Sequence, residues 1–178
     1  DRPLRYADAG VDIDAAEATV LRYREIARRA GRPEVMGGVG PFAGLFRLGS
    51  FRDPVIVSSA DGVGTKLRIA IAAGRYDTVG QDLVNHCVND ILTTGAEPLF
   101  FLDYLATADL PQERRVEVVG GMGQACAENG VALIGGTLGC LHPQQHIDCA
   151  AVFGHTVAQG RKKQTRCIHH GLLIDEHP

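Results

Sequence analysis

The chain contains no tryptophan, and aromatic residues make up only 6% of its 178 residues. It also has no excess of basic charge, because 18 Lys and Arg are set against 21 Asp and Glu, which gives no reason to expect a nucleic-acid partner. No apolar run approaches the roughly 20 residues that span a bilayer, and the N-terminus lacks the pattern of a signal peptide. With five irregularly spaced Cys, the sequence predicts a cytoplasmic protein with reduced thiols and no membrane contact.

What is present is a composition of 45% hydrophobic and 22% charged residues, which is typical of a globular domain. It is unevenly distributed: six of the seven His and three of the five Cys lie in residues 138–178, whereas 18 of the 22 Gly precede them. These His and Cys do not form a compact zinc motif. Only His142 and His146 have helical spacing, and Pro143 lies between them. We therefore predict a change of character near Gly136 and no metal site in the tail.

Helices and strands alternate along the chain, which predicts an α/β fold with a mixed sheet. Apolar periodicity and end signals predict helices over 15–30, 66–73, 78–94 and 111–129, with Gly74 and Gly95 closing the second and third. Short β-branched or aromatic runs predict strands over 54–59, 99–102 and 131–134, and a further strand over 149–153.

The segment from Asp61 to Lys66 is the first candidate for chemistry. Its glycines let backbone amides approach an anion, Thr65 can open the next helix, and Lys66 can neutralise phosphate charge. Asp61, at the end of a strand, is placed to hold a hard cation such as Mg²⁺. The alternative is a tight strand-to-helix turn with a surface lysine.

Asp90 is the second candidate, because helical spacing places it between Val79 and Leu83 on an apolar face, with Asp82 and His86 at its polar border. A buried carboxylate needs a cation or hydrogen-bond donors. Asp90 therefore either shares Mg²⁺ with Asp61 or caps a neighbouring loop.

Two more strand ends complete the set of candidates. Asp103 is expected at the C-terminal end of a strand, where open α/β sheets bind ligands. The Gly135-Gly136-Thr137 segment is expected to form a turn after a strand, where backbone amides can approach a phosphate.

Five segments together resemble one family, phosphoribosylformylglycinamidine cyclo-ligase, also called aminoimidazole ribonucleotide synthetase. The segments are Tyr6–Asp14, Arg32–Gly38, Asp61–Lys66, Cys87–Asp90 and Gly95–Tyr104. The resemblance runs in order from about Leu4 to Gly136. It implies the family's N-terminal ATP-binding domain, with a mixed sheet, packed helices and pairing of sheets across a homodimer.

The resemblance further implies ATP-dependent closure of formylglycinamidine ribonucleotide to aminoimidazole ribonucleotide, with ATP and Mg²⁺ as cofactors. Asp61 and Asp90 would hold the metal, and Lys66 and Asp103 would be catalytic. Residues that would contact the nucleotide are Gly37, Gly38, Gly40, Gly62, Val63, Gly64, Thr65, Lys66, Asp82 and Thr137.

The family pattern stops after the glycine pair, because Thr137-Leu138-Gly139-Cys140 stands where the family has a Glu-Thr-Ala-Glu segment. We therefore predict an N-terminal ATP-binding and dimerisation domain over 1–137, and a divergent tail over 138–178 with the family's second domain absent. A shifted reading frame and a divergent short form both explain this pattern. The alternative function is a catalytically silent nucleotide-binding or dimerisation module. A related phosphotransferase, such as a selenophosphate synthetase or a thiamine-phosphate kinase, matches the Val88-Asn89-Asp90 string less well.

Overall fold

The computed structural model describes residues 13–38, 43–49, 54–107, 110–140, 151–160, 168–169 and 172–173. Its helices are α1 (Ile13–Arg29), α2 (Lys66–Ala73), α3 (Asp77–Thr93) and α4 (Gln112–Glu128). Its strands are β1 (Val55–Gly62), β2 (Glu97–Thr107), β3 (Ala132–Cys140), β4 (Ala151–Gly160), β5 (Ile168–His169) and β6 (Leu172–Leu173). The predicted alternation of helices with a mixed sheet is confirmed.

Four strands form the main sheet in the order β1-β4-β2-β3, and β5 pairs with β6 separately. Strand β4 runs antiparallel to both of its neighbours, whereas β2 and β3 are parallel. Strand β4, residues 151–160, therefore lies between β1 and β2 in the sheet, although its residues come after the predicted domain boundary at 137.

Glycine residues terminate helices α2 and α3. Gly74 closes α2 with a φ of 64°, and Gly95 follows α3 with a φ of 73°. This left-handed conformation is readily adopted by glycine because it has no Cβ, and it terminates a helix. Both positions agree with the sequence prediction.

A helical layer made of α1, α3 and α4 packs on one face of the sheet. Close contact between α3 and α4 depends on Gly80 and Gly121, where an added Cβ would collide with the carbonyl oxygens of Val118 and Asp77 respectively. The largest fully buried side chains in this core include Leu83, Phe101, Leu105 and Met122.

The opposite face of the sheet is more open. Ile56 on β1 is 59% exposed and Tyr104 on β2 is 39% exposed, although both are large side chains on strands. Apolar residues on a sheet face are typical of a surface that another layer covers. None of the helices in the described part of the chain is both long and apolar enough to cross a membrane.

Two strand ends differ from the prediction. Strand β2 continues to Thr107, so Asp103 lies within it and not at its C-terminal end. Strand β3 continues through Gly135, Gly136 and Thr137, so these residues do not form a turn. Packing explains why glycine stands at position 136. Asp103 is its partner on β2, and a Cβ on Gly136 would collide with the Asp103 carboxylate.

Candidate functional site

A cluster of three metal-ligand side chains lies between the end of β1 and the middle of α3. Asp61, His86 and Asp90 each offer one ligand atom, and these atoms all lie within 4.8 Å of one another. The structure thus brings together Asp61 and Asp90, the two residues predicted to share a cation. We call these three residues the acidic cluster.

Hydrogen bonds fix the carboxylates of the acidic cluster. The Gly62 amide donates to Asp61 Oδ1 at 2.6 Å, and His86 Nε2 lies 2.7 Å from Asp61 Oδ2. The Ser59 hydroxyl donates to Asp90 Oδ2 at 2.8 Å. The Gly62 amide, followed by His86 and Lys66, lowers the pKa of Asp61, so this carboxylate stays ionised at neutral pH.

Lys66 begins α2 next to this cluster and forms an ion pair with Asp82 of α3. Both side chains line an open groove of about 310 Å³ between α2 and α3, whose apolar part includes Ile69, Ala70 and Val79. The structure therefore places Asp82 beside Lys66, in a groove lined by both charged and apolar residues.

The predicted phosphate loop contributes main chain more than side chains. Gly64 has a φ of 57°, and Thr65 precedes α2 without capping it through its hydroxyl. Val63 is only 4% exposed, so its side chain belongs to the core and only its main chain can face a ligand. Gly62 serves the cluster directly through its amide.

The expectation that Asp90 lies on the buried face of its helix is wrong, because Asp90 is exposed. Val79 and Leu83 are buried as predicted, but they lie two to three turns earlier on α3, where Gly80 brings the helix against α4. A helical wheel projects residues from all turns of a helix onto one circle, so it places Asp90 next to Val79 and Leu83 although they lie at different heights along α3. At the level of Asp90 the neighbour is β1, which provides the Ser59 hydroxyl.

Asp103 lies two strands from Asp61 in the sheet, since both residues pair with Gly154 of β4, and it is not a member of the acidic cluster. It is 9% exposed, and burial raises its pKa to about 7. Burial, and after it the charge of Asp103, also raises the pKa values of Tyr23 on α1 and Cys126 on α4. The expectation of a ligand-facing acid at a strand end is therefore not met, and its catalytic role stays a prediction.

The glycine-rich segment lies beside β3, at the other edge of the sheet from β1. Gly37 and Gly38 line a cavity that also includes Ile134 of β3. The structure therefore does not bring them to the acidic cluster. Gly40 falls outside the described residues, and of Thr137 the structure describes only its place in β3.

Arg32 holds this glycine-rich segment in place. Its guanidinium contacts Glu34, Glu97 and the carbonyl oxygens of Pro98 and Gly130, and it lies over the Phe46 ring at 5.8 Å. The Met36 amide donates to the Leu45 carbonyl and the Arg47 amide donates to the Glu34 carbonyl, so residues 34–36 pair with residues 45–47, and we call these two paired segments the hairpin. Arg32 thus ties this hairpin to β2 and to the turn before β3.

Sequence reasoning missed two residues as members of the site, His86 and Ser59. The signal for His86 was present, because it precedes Asp90 by four residues and therefore lies on the same helical face. Ser59 carried no comparable signal, since its contact with Asp90 depends on how α3 crosses β1.

Comparison with known proteins gives one family match, to the family described as AIR synthase related protein, N-terminal domain, over residues 43–154. The match extends past Gly136, where the motif resemblance ends. The chain is also 51% identical, over 165 residues, to a phosphoribosylformylglycinamidine cyclo-ligase of Xanthomonas oryzae pv. oryzae (strain PXO99A). That alignment covers 90% of this chain but 48% of the relative, so the chain spans about half the length of the curated relatives it matches.

Solved structures show the same fold at low identity. A thiamine-monophosphate kinase from Stenotrophomonas maltophilia K279a superimposes with a TM-score of 0.61 and 18% identity, covering 79% of this chain and 42% of the kinase. The hydrogenase maturation protein HypE in complex with ATP gives a TM-score of 0.54 and 18% identity, covering 75% of this chain and 37% of HypE.

Proposed function

Because the chain belongs to the AIR synthase related protein family, as its N-terminal domain, we propose that it is the nucleotide-binding part of a phosphoribosylformylglycinamidine cyclo-ligase. Its reaction would be the ATP-dependent closure of formylglycinamidine ribonucleotide to aminoimidazole ribonucleotide, in the cytoplasm, for purine biosynthesis. The single observation that carries the proposal is the acidic cluster with Lys66 beside it.

The donor set of the cluster fits Mg²⁺. This ion is usually held by one or two carboxylates together with substrate phosphates and water, and Asp61 and Asp90 supply two carboxylates. His86 is bonded to Asp61 and would orient that carboxylate from the outer shell. When bound, Mg²⁺ would neutralise phosphate charge and orient the nucleotide.

The remaining residues bind and position the nucleotide. Lys66 would compensate phosphate charge, and the N-terminal end of α2 adds the positive end of a helix dipole. In the reaction, the γ-phosphoryl group of ATP passes to the formyl amide oxygen and ADP is released. The amidine nitrogen then attacks that carbon, the C–N bond forms, phosphate leaves with the oxygen, and the nitrogen loses a proton. Such chemistry depends on positioning and charge neutralisation and needs no side-chain nucleophile.

We further propose that catalysis needs the half of the relatives that this chain does not match, so that the chain binds Mg·ATP without closing the ring. A homodimer formed through the open sheet face belongs to the same proposal. The exposed Ile56 and Tyr104 on that face support it.

Calorimetric titration of Mg·ATP tests the metal assignment. We expect binding that requires Mg²⁺ and that weakens at least tenfold in the Asp90→Asn variant, because one of the two carboxylates is lost. The matched control is Asp77→Asn on the same helix, since Asp77 pairs with Arg75 outside the cluster. It should bind within twofold of the wild type.

Two results would contradict the proposal. Equal Mg·ATP affinity in the wild type and in Asp90→Asn would remove the metal role of the cluster. Aminoimidazole ribonucleotide formed by this chain alone, measured as product over time, would show that the unmatched half of the relatives is not needed.

A further inference from the structure

A second cavity lies between α1 and β3, away from the acidic cluster. It has a volume of about 500 Å³, which is within the range of small-molecule sites. Its lining residues are Arg24, Ala27, Arg28, Gly31, Val35, Gly37, Gly38, Leu133 and Ile134. We call it the α1–β3 cavity.

The charged residues among the described lining of the α1–β3 cavity are both basic. Arg24 and Arg28 are four residues apart on α1, so their side chains emerge on the same face of the helix. Among its described lining residues there is no carboxylate, although Arg28 forms an exposed ion pair of 3.9 Å with Glu25 of the same helix, outside this lining. Arg24 and Arg28 give this side of the cavity two basic residues, and guanidinium groups are suited to the oxygens of a phosphate.

The floor of the cavity is apolar. Leu133 and Ile134 of β3 are 5% and 4% exposed, and Ala27 and Val35 extend the same surface. An inorganic ion would leave this surface without a partner. The combination fits a ligand with an anionic end and a carbon framework.

The third wall is backbone. An added Cβ at Gly37 or Gly38 would meet no atom of the described residues within 4 Å, so neither glycine is packed against them. Gly37 has a φ of 103°, which strongly favours glycine at this position. The bond from Arg32 to the Gly130 carbonyl and the backbone bonds of the hairpin anchor residues 34–36, which lead into this wall.

We propose that the α1–β3 cavity binds a small phosphate monoester, with Arg24 and Arg28 holding the phosphate and the β3 surface contacting the organic part. The proposal goes beyond the function above, because its residues lie at the other edge of the sheet from the acidic cluster. The ribonucleotide substrate is one phosphate monoester of this class.

Titration with ribose 5-phosphate, followed by calorimetry, tests the site. We expect saturable binding at one equivalent, weakened at least tenfold in the Arg24→Gln/Arg28→Gln variant because both guanidinium groups are lost. The matched control is Arg22→Gln/Arg29→Gln, which removes the same charge from the same helix at residues outside the lining. It should bind within twofold of the wild type.

A second variant blocks the space and keeps the charge. Gly38 lies outside the left-handed region and has no atom near its Cβ position, so Gly38→Leu introduces a side chain at the cavity wall without backbone strain. We expect it to weaken ribose 5-phosphate binding at least tenfold. Circular dichroism checks that both variants keep their helices.

Four outcomes would overturn the proposal. They are absence of saturation, equal loss in the control variant, wild-type affinity in Gly38→Leu, and equal affinity for inorganic phosphate and ribose 5-phosphate. The Asp90→Asn variant separates the two proposals, since it should lose Mg·ATP binding and keep ribose 5-phosphate binding.

Discussion

Two aspartates of the sheet, one on an edge strand and one on an inner strand, have opposite electrostatic environments. At the β1 edge, Asp61 is half-buried, and the Gly62 amide and His86 lower its pKa. Two strands away on β2, Asp103 is almost fully buried, and desolvation raises its pKa to about 7. The first carboxylate is stabilised as an anion and can meet a cation, whereas the second is stabilised as a neutral acid inside the core. A strand-end aspartate and a mid-strand aspartate are therefore different chemical groups.

The comparison predicts that substitutions around Asp103 change stability and that substitutions in the acidic cluster change ligand binding. The largest effect should come from pH. The pKa of Asp103 is higher in the folded than in the unfolded chain, so the unfolded chain releases this proton at lower pH. The protonated carboxyl group therefore stabilises the folded state at low pH, and this contribution is lost as the pH rises towards 7. We expect the free energy of unfolding to fall by about 1.4 kcal/mol per pH unit between about pH 4 and pH 7, roughly 4 kcal/mol in all.

The measurement is urea unfolding of the wild type and of Asp103→Asn across this pH range. The Asn variant mimics the neutral acid, so the difference between the two proteins isolates Asp103. Groups with lowered pKa values, such as Asp61 and Asp77, make the free energy of unfolding rise with pH, but at lower pH than the effect of Asp103. Parallel curves for the two proteins would contradict the assignment of a buried neutral acid.

The next effect is steric. Gly136→Ala should destabilise the chain by about 3 kcal/mol, because the new Cβ would collide with the Asp103 carboxylate. Gly120→Ala is the control, since a Cβ there meets no atom within 4 Å in the part of the chain that the structure describes, and it should be neutral or stabilising in its helix. Urea midpoints measure both, and equal midpoints would show that β3 moves away from Asp103 without cost.

A smaller loss is expected at Arg32. Arg32→Ala removes the contacts to Glu34, Glu97 and two carbonyl oxygens, and should cost about 2 kcal/mol. Arg32→Lys should recover only part of this, because an ammonium group cannot bridge the same acceptors. Thermal unfolding measures the stability of both variants. Wild-type stability in the lysine variant would show that only the positive charge of Arg32 matters and not the shape of its guanidinium group.

The smallest stability effect should appear in the acidic cluster itself. Asp90→Asn should change the free energy of unfolding by no more than about 0.5 kcal/mol, because Asp90 is exposed and its main partner is one hydroxyl. Chemical unfolding without Mg²⁺ or nucleotide is the measurement. A loss of stability as large as that of Gly136→Ala would show that the acidic cluster supports the fold, and would contradict the contrast between the cluster and Asp103.

Local signals in the sequence predict the helices well. Gly74 and Gly95 end α2 and α3 because glycine readily adopts the left-handed conformation, a property of a single residue. Asp61 and Lys66 stand out for a similar reason, since strand, glycines and helix follow one another directly. The fold class, the helix bounds and one half of the cluster are therefore accessible from the amino-acid sequence alone.

The remaining features depend on contacts between distant residues. Gly135 and Gly136 predict a turn because glycine breaks strands, yet Gly136 is needed for the Asp103 carboxylate on β2. A helical wheel places Asp90 in the core because it ignores where along α3 each neighbour lies. The position of β4 between β1 and β2 has no local signal, since strand order is set by pairing across the whole chain.

That position of β4 sets an order of events during synthesis. Within the described sheet, β1 bonds only to β4, and Val55 pairs with Gly160 more than a hundred residues later. Such a pairing closes a long loop, which is slow and occurs late. The helices and the parallel pair β2–β3 can assemble as the chain emerges, whereas Asp61 can pair in the sheet only after its partner Gly154 has been made. The edge strand that carries Asp61 is therefore expected to join the sheet last.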